Sequence, residues 1–302
     1  MTCLIWRQHR GQALWTVITV AALCGLIVNF GLSAEHWLAG YHSWLGQLAA
    51  AGCPPPTAHG GVFHVKSAAT CFALKDRYPG SLQAAFASRY DNAILLSQYG
   101  LPAAFAIIGA LVGAPLVARE VEQRTHLAAW TQSVSRRRWY TAKISVLAAG
   151  LAVAGLAAGT INAWLQPQLT AGVTAGSRWS WFVSVNLAPA GEAVLAFALA
   201  VAFGALLRRT LPAIGGAVAG FTVLLLAGRW AVQALTPVSK TTGPHFTAPP
   251  GSWVLGSAAN AAVPYHPAGQ YWPLQLILLT LLLALAAAAL AAGWHATRTR
   301  TV

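Results

Sequence analysis

The sequence contains few charged residues, and acidic residues are especially scarce. Of its 302 residues, 6 are Asp or Glu and 19 are Lys or Arg, so that 8% are charged, whereas an ordinary soluble domain has about 25%. So few charges could not cover the surface of a soluble protein of this length. Because 57% of the residues are hydrophobic and the mean hydropathy is +0.57, the sequence indicates a polytopic membrane protein.

The chain also lacks the pattern of a nucleotide site. A P-loop needs G-x-x-x-x-G-K-[ST], because its backbone N–H groups and its lysine hold the phosphates. None of the four lysines, Lys66, Lys75, Lys143 and Lys240, stands in that pattern. The spans contain no paired carboxylates, and the chain has no G-x-S-x-G motif of a hydrolase. We therefore expect that this chain is not an enzyme and that any ATP hydrolysis occurs on another protein.

Six apolar stretches are long enough to cross a bilayer, which takes roughly 20 residues of helix. We predict an all-α protein with spans at residues 13–33, 99–118, 144–164, 187–207, 211–235 and 274–294. The first span resembles a signal peptide, but its apolar run is too long and the sequence that follows it is a poor cleavage site. We interpret it as a retained membrane anchor.

The basic residues predict the orientation of these spans. Twelve of them lie in short segments that end up on one side of the membrane, and seven lie in the longer loops of the other side. The positive-inside rule then places both termini and the 119–143 loop in the cytoplasm, and residues 34–98 become a large first extracellular loop. Because topology accounts for most of the net charge of +13, we expect no nucleic-acid partner.

The predicted extracellular loop contains Cys53 and Cys71. Because this loop faces the oxidising side, we predict that they form a disulfide, and two free thiols are the alternative. Four histidines also lie in or beside the loop, but no carboxylate or cysteine completes a tight ligand set with them. We therefore expect no metal site.

Aromatic residues in the same loop recur at helical spacing. Trp37, Tyr41, Trp44, Leu45 and Leu48 would lie on one face of a helix. An amphipathic helix rich in tryptophan is typical of the headgroup region of a bilayer. We therefore predict that this segment lies against membrane lipid.

The 119–143 loop, REVEQRTHLAAWTQSVSRRRWYTAK, is the most polar segment of the chain. Leu127, Trp130 and Val134 supply one apolar edge at helical spacing, which is suited to docking in a groove on a partner protein. The alternative is an interfacial loop whose arginines only obey the positive-inside rule. That alternative does not explain Glu120 and Glu122 beside the membrane, where acidic residues gain nothing from anionic lipid.

The loop resembles that of the membrane subunits of ABC-2 type ABC transporters, which typically reads R-E-x-E-x-G-T, then a spacer, P-x-S-R, and a lysine at the start of span three. The residues that match are Arg119, Glu120, Glu122, Thr125, Ser135, Arg136 and Lys143. Arg124 stands where glycine is usual and Ser133 where proline is usual. These departures suggest a divergent subgroup, most similar to permeases of GC-rich actinobacteria.

This resemblance implies a permease subunit of an ATP-driven exporter in a bacterial plasma membrane. It implies a second permease subunit, identical or not, and a separate ATP-binding subunit that holds ATP and Mg. The candidate contacts to that ATP-binding subunit are Glu120, Glu122, Thr125, Leu127, Trp130 and Arg136. An ion-coupled secondary transporter is the alternative, and it would normally show charged groups at the bilayer midplane. The substrate is not specified by the sequence.

Glu192 is the one acidic residue within the predicted spans. A carboxylate in a membrane span is costly and often functional. It is a candidate for the substrate path or for pairing with Arg229. The alternative is an interfacial glutamate that reaches water from an unwound helix start.

Three spans contain a G-x-x-x-G motif, which permits close approach of two helices. The pairs are Gly109/Gly113, Gly155/Gly159 and Gly216/Gly220. In a sequence rich in Ala and Gly such motifs also arise by chance. We therefore infer no dimer interface from them.

Overall fold

The computed structural model describes residues 2–54, 68–76, 82–122, 136–170, 181–235, 238–241, 252–254 and 263–299. In these residues the main elements are α-helices. They are α1 (Thr2–Ala50), α2 (Ala68–Lys75), α3 (Leu82–Leu95), α4 (Leu101–Glu122), α5 (Arg136–Thr170), α6 (Ala188–Leu207), α7 (Thr210–Leu235) and α8 (Tyr271–Thr299). A π-helix, Leu96–Gly100, joins α3 to α4 without a break.

Six helices are long and apolar enough to span a membrane, and each overlaps one predicted span. They cover Leu14–Ala50, Arg89–Arg119, Tyr140–Leu169, Ala188–Leu207, Thr210–Gly228 and Ala268–Thr299. The prediction of an all-α protein with six membrane helices is therefore confirmed at this level. Long uninterrupted apolar runs determine this outcome, because in lipid the backbone must bond within the segment itself.

Consecutive spans alternate in direction, so the bundle has two distinct ends. We call the "loop end" the one at which α4 stops at Glu122 and α5 begins at Arg136. We call the opposite one the "disulfide end", because Cys53 and Cys71 are bonded there with their Cα atoms 5.6 Å apart. The disulfide agrees with the prediction from the sequence.

Helix α6 is the centre of the bundle and packs against α4, α5, α7 and α8. Its side chains are mostly small, and fully buried larger ones such as Leu195 and Phe197 fill the space between neighbours. Small side chains let helix backbones approach closely, which favours dense packing. Two-thirds of this span is buried within the chain, which fits its central position.

The G-x-x-x-G motifs lie where neighbouring helices touch α6. A Cβ atom on Gly109 would lie 2.7 Å from the backbone nitrogen of Phe197, and one on Gly155 would lie 2.5 Å from the carbonyl oxygen of Pro189. A Cβ on Gly216 would lie 3.0 Å from the ring of Phe203. The three motifs therefore form contacts within the chain.

Helix α1 continues well past its predicted span. Its 49 residues correspond to about 74 Å of helix, against about 30 Å for the hydrocarbon core. The extension packs on α3, where the ring centroids of Trp37 and Phe86 are 5.4 Å apart and the hydroxyl of Tyr90 donates to the carbonyl of Ser33 at 2.8 Å. The two long helices brace each other at the disulfide end.

The aromatic stripe of this extension is covered by protein. Tyr41, Trp44 and Leu48 are buried in one cluster with the disulfide, and the indole N–H of Trp44 donates to the carbonyl of Leu74 at 2.5 Å. The prediction of a helix lying in the lipid headgroups is therefore wrong. The helical spacing was correct, but tertiary contacts rather than lipid cover its apolar face.

A small antiparallel sheet precedes α8. Its strands are β1 (Ser239–Thr241), β2 (Trp253–Val254) and β3 (Val263–His266), in the order β1-β3-β2. A 3₁₀ helix, Ala268–Gln270, then leads into α8. Strands of two to four residues give almost no alternating pattern, so this sheet was not predicted.

Candidate functional site

Buried and half-buried polar residues gather around the start of α6, at the disulfide end of the bundle. We call this group the "amide cluster"; it consists of Ser97, Asn162, Ser184, Asn186, Tyr271 and Gln275. These residues come from the π-helix, from α5, from the segment before α6 and from α8. The cluster therefore joins four parts of the chain that are distant in sequence.

The segment before α6 is irregular and buried. In this "entry segment", residues 181–187, the first four residues form a 3₁₀ turn, and Trp181, Phe182, Ser184 and Val185 are each exposed by 1% or less. Irregular backbone at membrane depth requires hydrogen-bond partners from the protein, because lipid supplies none. The amide cluster supplies them.

Asn162 on α5 holds the entry segment from one side. Its side-chain nitrogen donates to the carbonyl of Ser184 at 2.8 Å and to the carbonyl of Ser97 at 3.1 Å. Its side-chain oxygen accepts from the hydroxyl of Ser97. Asn162 is 0% exposed, so three of the four hydrogen bonds available to its amide are made inside the protein.

Gln275 on α8 holds the same segment from the other side. Its side-chain nitrogen donates to the carbonyl of Phe182 at 2.8 Å, and its oxygen accepts from the backbone N–H of Ala188 at 3.2 Å. The second bond satisfies one of the N–H groups that every helix leaves open at its first turn. Helix α6 is therefore capped by a neighbouring span.

Asn186 completes the cluster at the junction with α6. It has a φ of 53°, a left-handed conformation that Asn adopts more readily than most residues. Its backbone N–H donates to the carbonyl of Gly159 at 2.9 Å, and its side chain donates to the hydroxyl of Tyr271. A Cβ on Gly159 would collide with the backbone of Asn186, so the glycine is required for this contact.

The π-helix carries Ser97, which bonds to the side chain of Asn162. Its wider turn leaves Ser97 and Gln98 buried, and Ser97 faces the amide of Asn162. A π-turn within an α-helix is rare and often marks a functional site. Because the π-helix lies beside the amide cluster, the start of α6 is a candidate site of conformational change.

Glu192 lies one turn further along α6 and is 0% exposed. The interpretation as an interfacial glutamate that reaches water is therefore wrong, because the side chain is enclosed by the bundle. Burying a carboxylate inside a membrane bundle costs free energy and often marks a functional residue. The proposed role of Glu192 in the substrate path stays a prediction. The side chain of Arg229 lies outside the described residues, and so does the suggested pairing.

At the loop end, Glu122 is hydrogen-bonded within the chain. The hydroxyl of Thr210 donates to the carboxylate of Glu122 at 3.1 Å, which ties the end of α4 to the start of α7. The turn between α6 and α7 is short, because Arg208 takes a left-handed conformation with a φ of 56° and its N–H donates to the carbonyl of Gly204. Glu122 is thus linked to the turn that ends the central helix.

The other side of the 119–143 loop is anchored by Tyr140 on α5. Its hydroxyl donates to the carbonyl of Leu290 on α8 at 2.9 Å, and its ring lies 5.4 Å from that of Trp294. The hydroxyl also lies 3.0 Å from the position that a Cβ on Gly293 would take. Both flanks of the loop therefore contact later spans of the bundle.

The structure describes part of the predicted contact set for an ATP-binding subunit. Glu120 lies in the last turn of α4 and Arg136 begins α5, but their side chains lie outside the description. Thr125, Leu127 and Trp130 fall in residues 123–135, which are also outside it. Their roles stay predictions.

A comparison with protein families decides what this bundle is. The family described as ABC-2 membrane transporter related matches residues 46–233, which is more than half of the chain. The chain belongs to this family. No curated protein and no solved structure matches it.

The part of the chain that matches the ABC-2 family covers spans two to five and the whole 119–143 loop. The resemblance inferred from the loop is therefore confirmed at the level of the family, and membership implies a multi-pass membrane permease that works with an ATP-binding ABC subunit. The actinobacterial-like subgroup stays a prediction. Within the described residues, no group of three or more His, Cys, Asp or Glu side chains could hold a metal ion.

Sequence reasoning missed Asn162, Gln275, Tyr140 and Thr210. A signal existed for the first two, because each is an isolated amide within an apolar span, where polar side chains usually bond across helices. Tyr140 and Thr210 carry no such signal. Their partners are 150 and 88 residues away in the chain.

Proposed function

We propose that this chain is the permease subunit of an ATP-driven exporter in a bacterial plasma membrane. Both termini and the loop end face the cytoplasm, and the disulfide end faces outward. A second permease subunit completes the translocation path. A separate subunit binds ATP and Mg and docks on the 119–143 loop.

The family match across the 119–143 loop is the observation that carries this proposal. In the sequence this loop combines an apolar edge with two glutamates that orientation does not require. Closure of an ATP-bound dimer below the membrane would displace the loop. An ATP-binding subunit that binds one conformation of the permease more tightly than another shifts the population toward that conformation.

The flanks of the loop offer a route for that displacement into the bundle. One flank is bonded to α7 through Glu122 and Thr210, and the other is bonded to α8 through Tyr140 and Leu290. Close contacts of α4 and α5 with α6 leave little room for independent sliding. The permease therefore moves as rigid groups of helices, as tightly packed interfaces generally do.

The disulfide supports the proposed orientation. Disulfides persist in oxidising compartments and are rare in the cytosol of most organisms. Cys53 and Cys71 lie at the end of the bundle opposite the basic loop. Charge and cysteine chemistry therefore favour the same topology independently.

Co-purification in mild detergent tests the proposal. The tagged wild-type chain is expected to retain an ATP-binding subunit, identified by mass spectrometry. Glu122→Lys should reach the membrane but lose that partner, because it reverses a charge on the proposed docking surface. Glu35→Lys is the matched control, because Glu35 is exposed and lies in the half of α1 that is nearer the disulfide end. A wild-type chain that retains no ATP-binding protein would contradict the proposal.

An ion-coupled secondary transporter is the second candidate, and the burial of Glu192 favours it. Carboxylates enclosed in a bundle serve as proton sites in many pumps and transporters. Transport that continues after ATP depletion while a proton gradient is retained would support this candidate. Transport that stops would support the ATP-driven exporter.

A further inference from the structure

We propose that Asn162 is a positioning residue of the transport cycle, which holds the entry segment closed across the disulfide end. Release of its hydrogen bonds is the step that opens this end toward the outside. The inference rests on the proposed function, because it names the part of the permease that responds to the ATP-binding subunit. It concerns a residue that sequence reasoning missed.

Asn162 binds two separate parts of the chain with one amide. Through Ser97 it holds the π-helix between α3 and α4, and through Ser184 it holds the entry segment. Moving the entry segment away from α5 breaks the bond to Ser184 directly. Asn162 therefore joins α5 to the part of the entry segment around Ser184, and the backbone N–H of Asn186 separately joins the end of that segment to the carbonyl of Gly159.

The chemistry of this contact favours opening here rather than elsewhere around α6. An apolar seam that opens exposes apolar area to water, which is unfavourable in proportion to the area. A seam of amides and carbonyls exchanges its protein partners for water at a small net change, provided that water enters. The amide cluster is such a seam where Asn162 faces the entry segment. By contrast, close contacts that involve backbone join α6 to α4 at Gly109, Gly113 and Gly204 and to α5 at Gly155.

The neighbouring geometry allows the entry segment to move as a unit. Gln275 and Tyr271 hold it to α8, and Gln275 also caps α6. When the bonds to Asn162 are released, the entry segment can remain attached to α6 and α8. The opening then lies between the end of α5 that carries Asn162 and the part of the entry segment around Ser184. This place is nearer the disulfide end than the close contact of Gly155 and Gly159 with Pro189 and Asn186.

Accessibility of an introduced thiol tests the proposal without knowledge of the substrate. The full chain, with Cys3 and Cys24 replaced by Ala, carries Ser184→Cys, a position that is 0% exposed. A charged, membrane-impermeant thiol reagent is added to the outside of intact cells, and the rate of labelling is measured. With Asn162 present we expect slow labelling.

Asn162→Leu, which keeps the approximate size of the side chain, should speed labelling of Ser184→Cys about tenfold, because it removes hydrogen bonds that exist only in the closed arrangement. Ala158→Cys is the control, since Ala158 is 0% exposed one turn earlier on α5. Its labelling should stay slow. Ser97→Ala removes one bond to Asn162 and should speed labelling of Ser184→Cys by a smaller factor. This variant replaces Asn162→Leu in the experiment if Asn162→Leu does not reach the membrane.

Equal labelling of Ser184→Cys with Asn162 and with either variant would overturn the inference. Faster labelling of Ala158→Cys to the same extent would also overturn it, because the variant would then loosen the whole helix. These measurements need no ATP-binding subunit, so their failure is distinct from a failure of co-purification. In the complete complex, ATP should speed labelling of Ser184→Cys in the wild-type background, and no effect of ATP would count against the inference.

Discussion

Replacing Gly155 by Ala tests whether α5 and α6 are packed as closely as the structure shows. The added Cβ would lie 2.5 Å from the carbonyl oxygen of Pro189 and 2.7 Å from the Cα of Ala190. Both atoms belong to the backbone, so neither can rotate away. The two helices would have to separate locally by about 1 Å to restore ordinary contact, an overpacking of the kind that costs about 1–3 kcal/mol.

Gly150 on the same helix is the matched control, because a Cβ there would meet nothing within 4 Å. Ala is a better helix former than Gly by about 1 kcal/mol, and both substitutions gain this term. Gly150→Ala should therefore be neutral or stabilising. Gly155→Ala should lose up to about 2 kcal/mol, because the same gain of about 1 kcal/mol offsets part of an overpacking cost of about 1–3 kcal/mol.

The assay is the thermal midpoint of the purified chain in one detergent. A loss of up to about 2 kcal/mol lowers the midpoint by up to about 8 °C, at about 2–4 °C per kcal/mol for a large domain. Gly150→Ala should leave the midpoint unchanged or raise it. Equal midpoints for the two variants, or a higher one for Gly155→Ala, would refute the packing of α5 against α6.

Three further predictions concern the two ends of the bundle. Tyr140→Phe keeps the ring but removes the hydrogen bond to Leu290. The complex should still hydrolyse ATP, but ATP should speed the labelling of Ser184→Cys less than in the wild type. An unchanged effect of ATP on this labelling would exclude this route of coupling. Thr210→Val removes only the internal partner of Glu122, so co-purification of the ATP-binding subunit should persist, and its loss would show that Glu122 acts by way of α7 rather than by direct docking. Cys53→Ser should lower the thermal midpoint, because closing this loop is worth about 3 kcal/mol in the chain-entropy model, and an unchanged midpoint would contradict a stabilising role of the disulfide.

The six spans could be predicted from the sequence because lipid leaves little choice. A long apolar run must form a helix when water is absent, and tertiary contacts only adjust its ends. Helix α1 shows the limit of this reasoning. Its continuation to Ala50 depends on Trp37 and Tyr41 meeting α3 and the disulfide, and no local pattern distinguishes burial in protein from contact with lipid.

The candidate site could be predicted only in part, for a related reason. Glu192 was conspicuous as the one acidic residue in a predicted span. It is buried, which the sequence did not indicate, and its place in the substrate path stays a prediction. Asn162 and Gln275 bond to backbone carbonyls of the entry segment, and a backbone carbonyl has no residue identity to detect. The sequence therefore indicates which side chains need partners but does not name those partners.

The central claim is that a separate ATP-binding subunit docks on the 119–143 loop. The most direct test replaces Trp130 with a photoreactive phenylalanine analogue in the living cell and identifies the cross-linked protein by mass spectrometry. Phe72 is the control position, because it is 73% exposed at the disulfide end. The account predicts capture of an ATP-binding subunit from position 130 and none from position 72. Capture of no ATP-binding subunit from position 130, in a complex that transports, would contradict it.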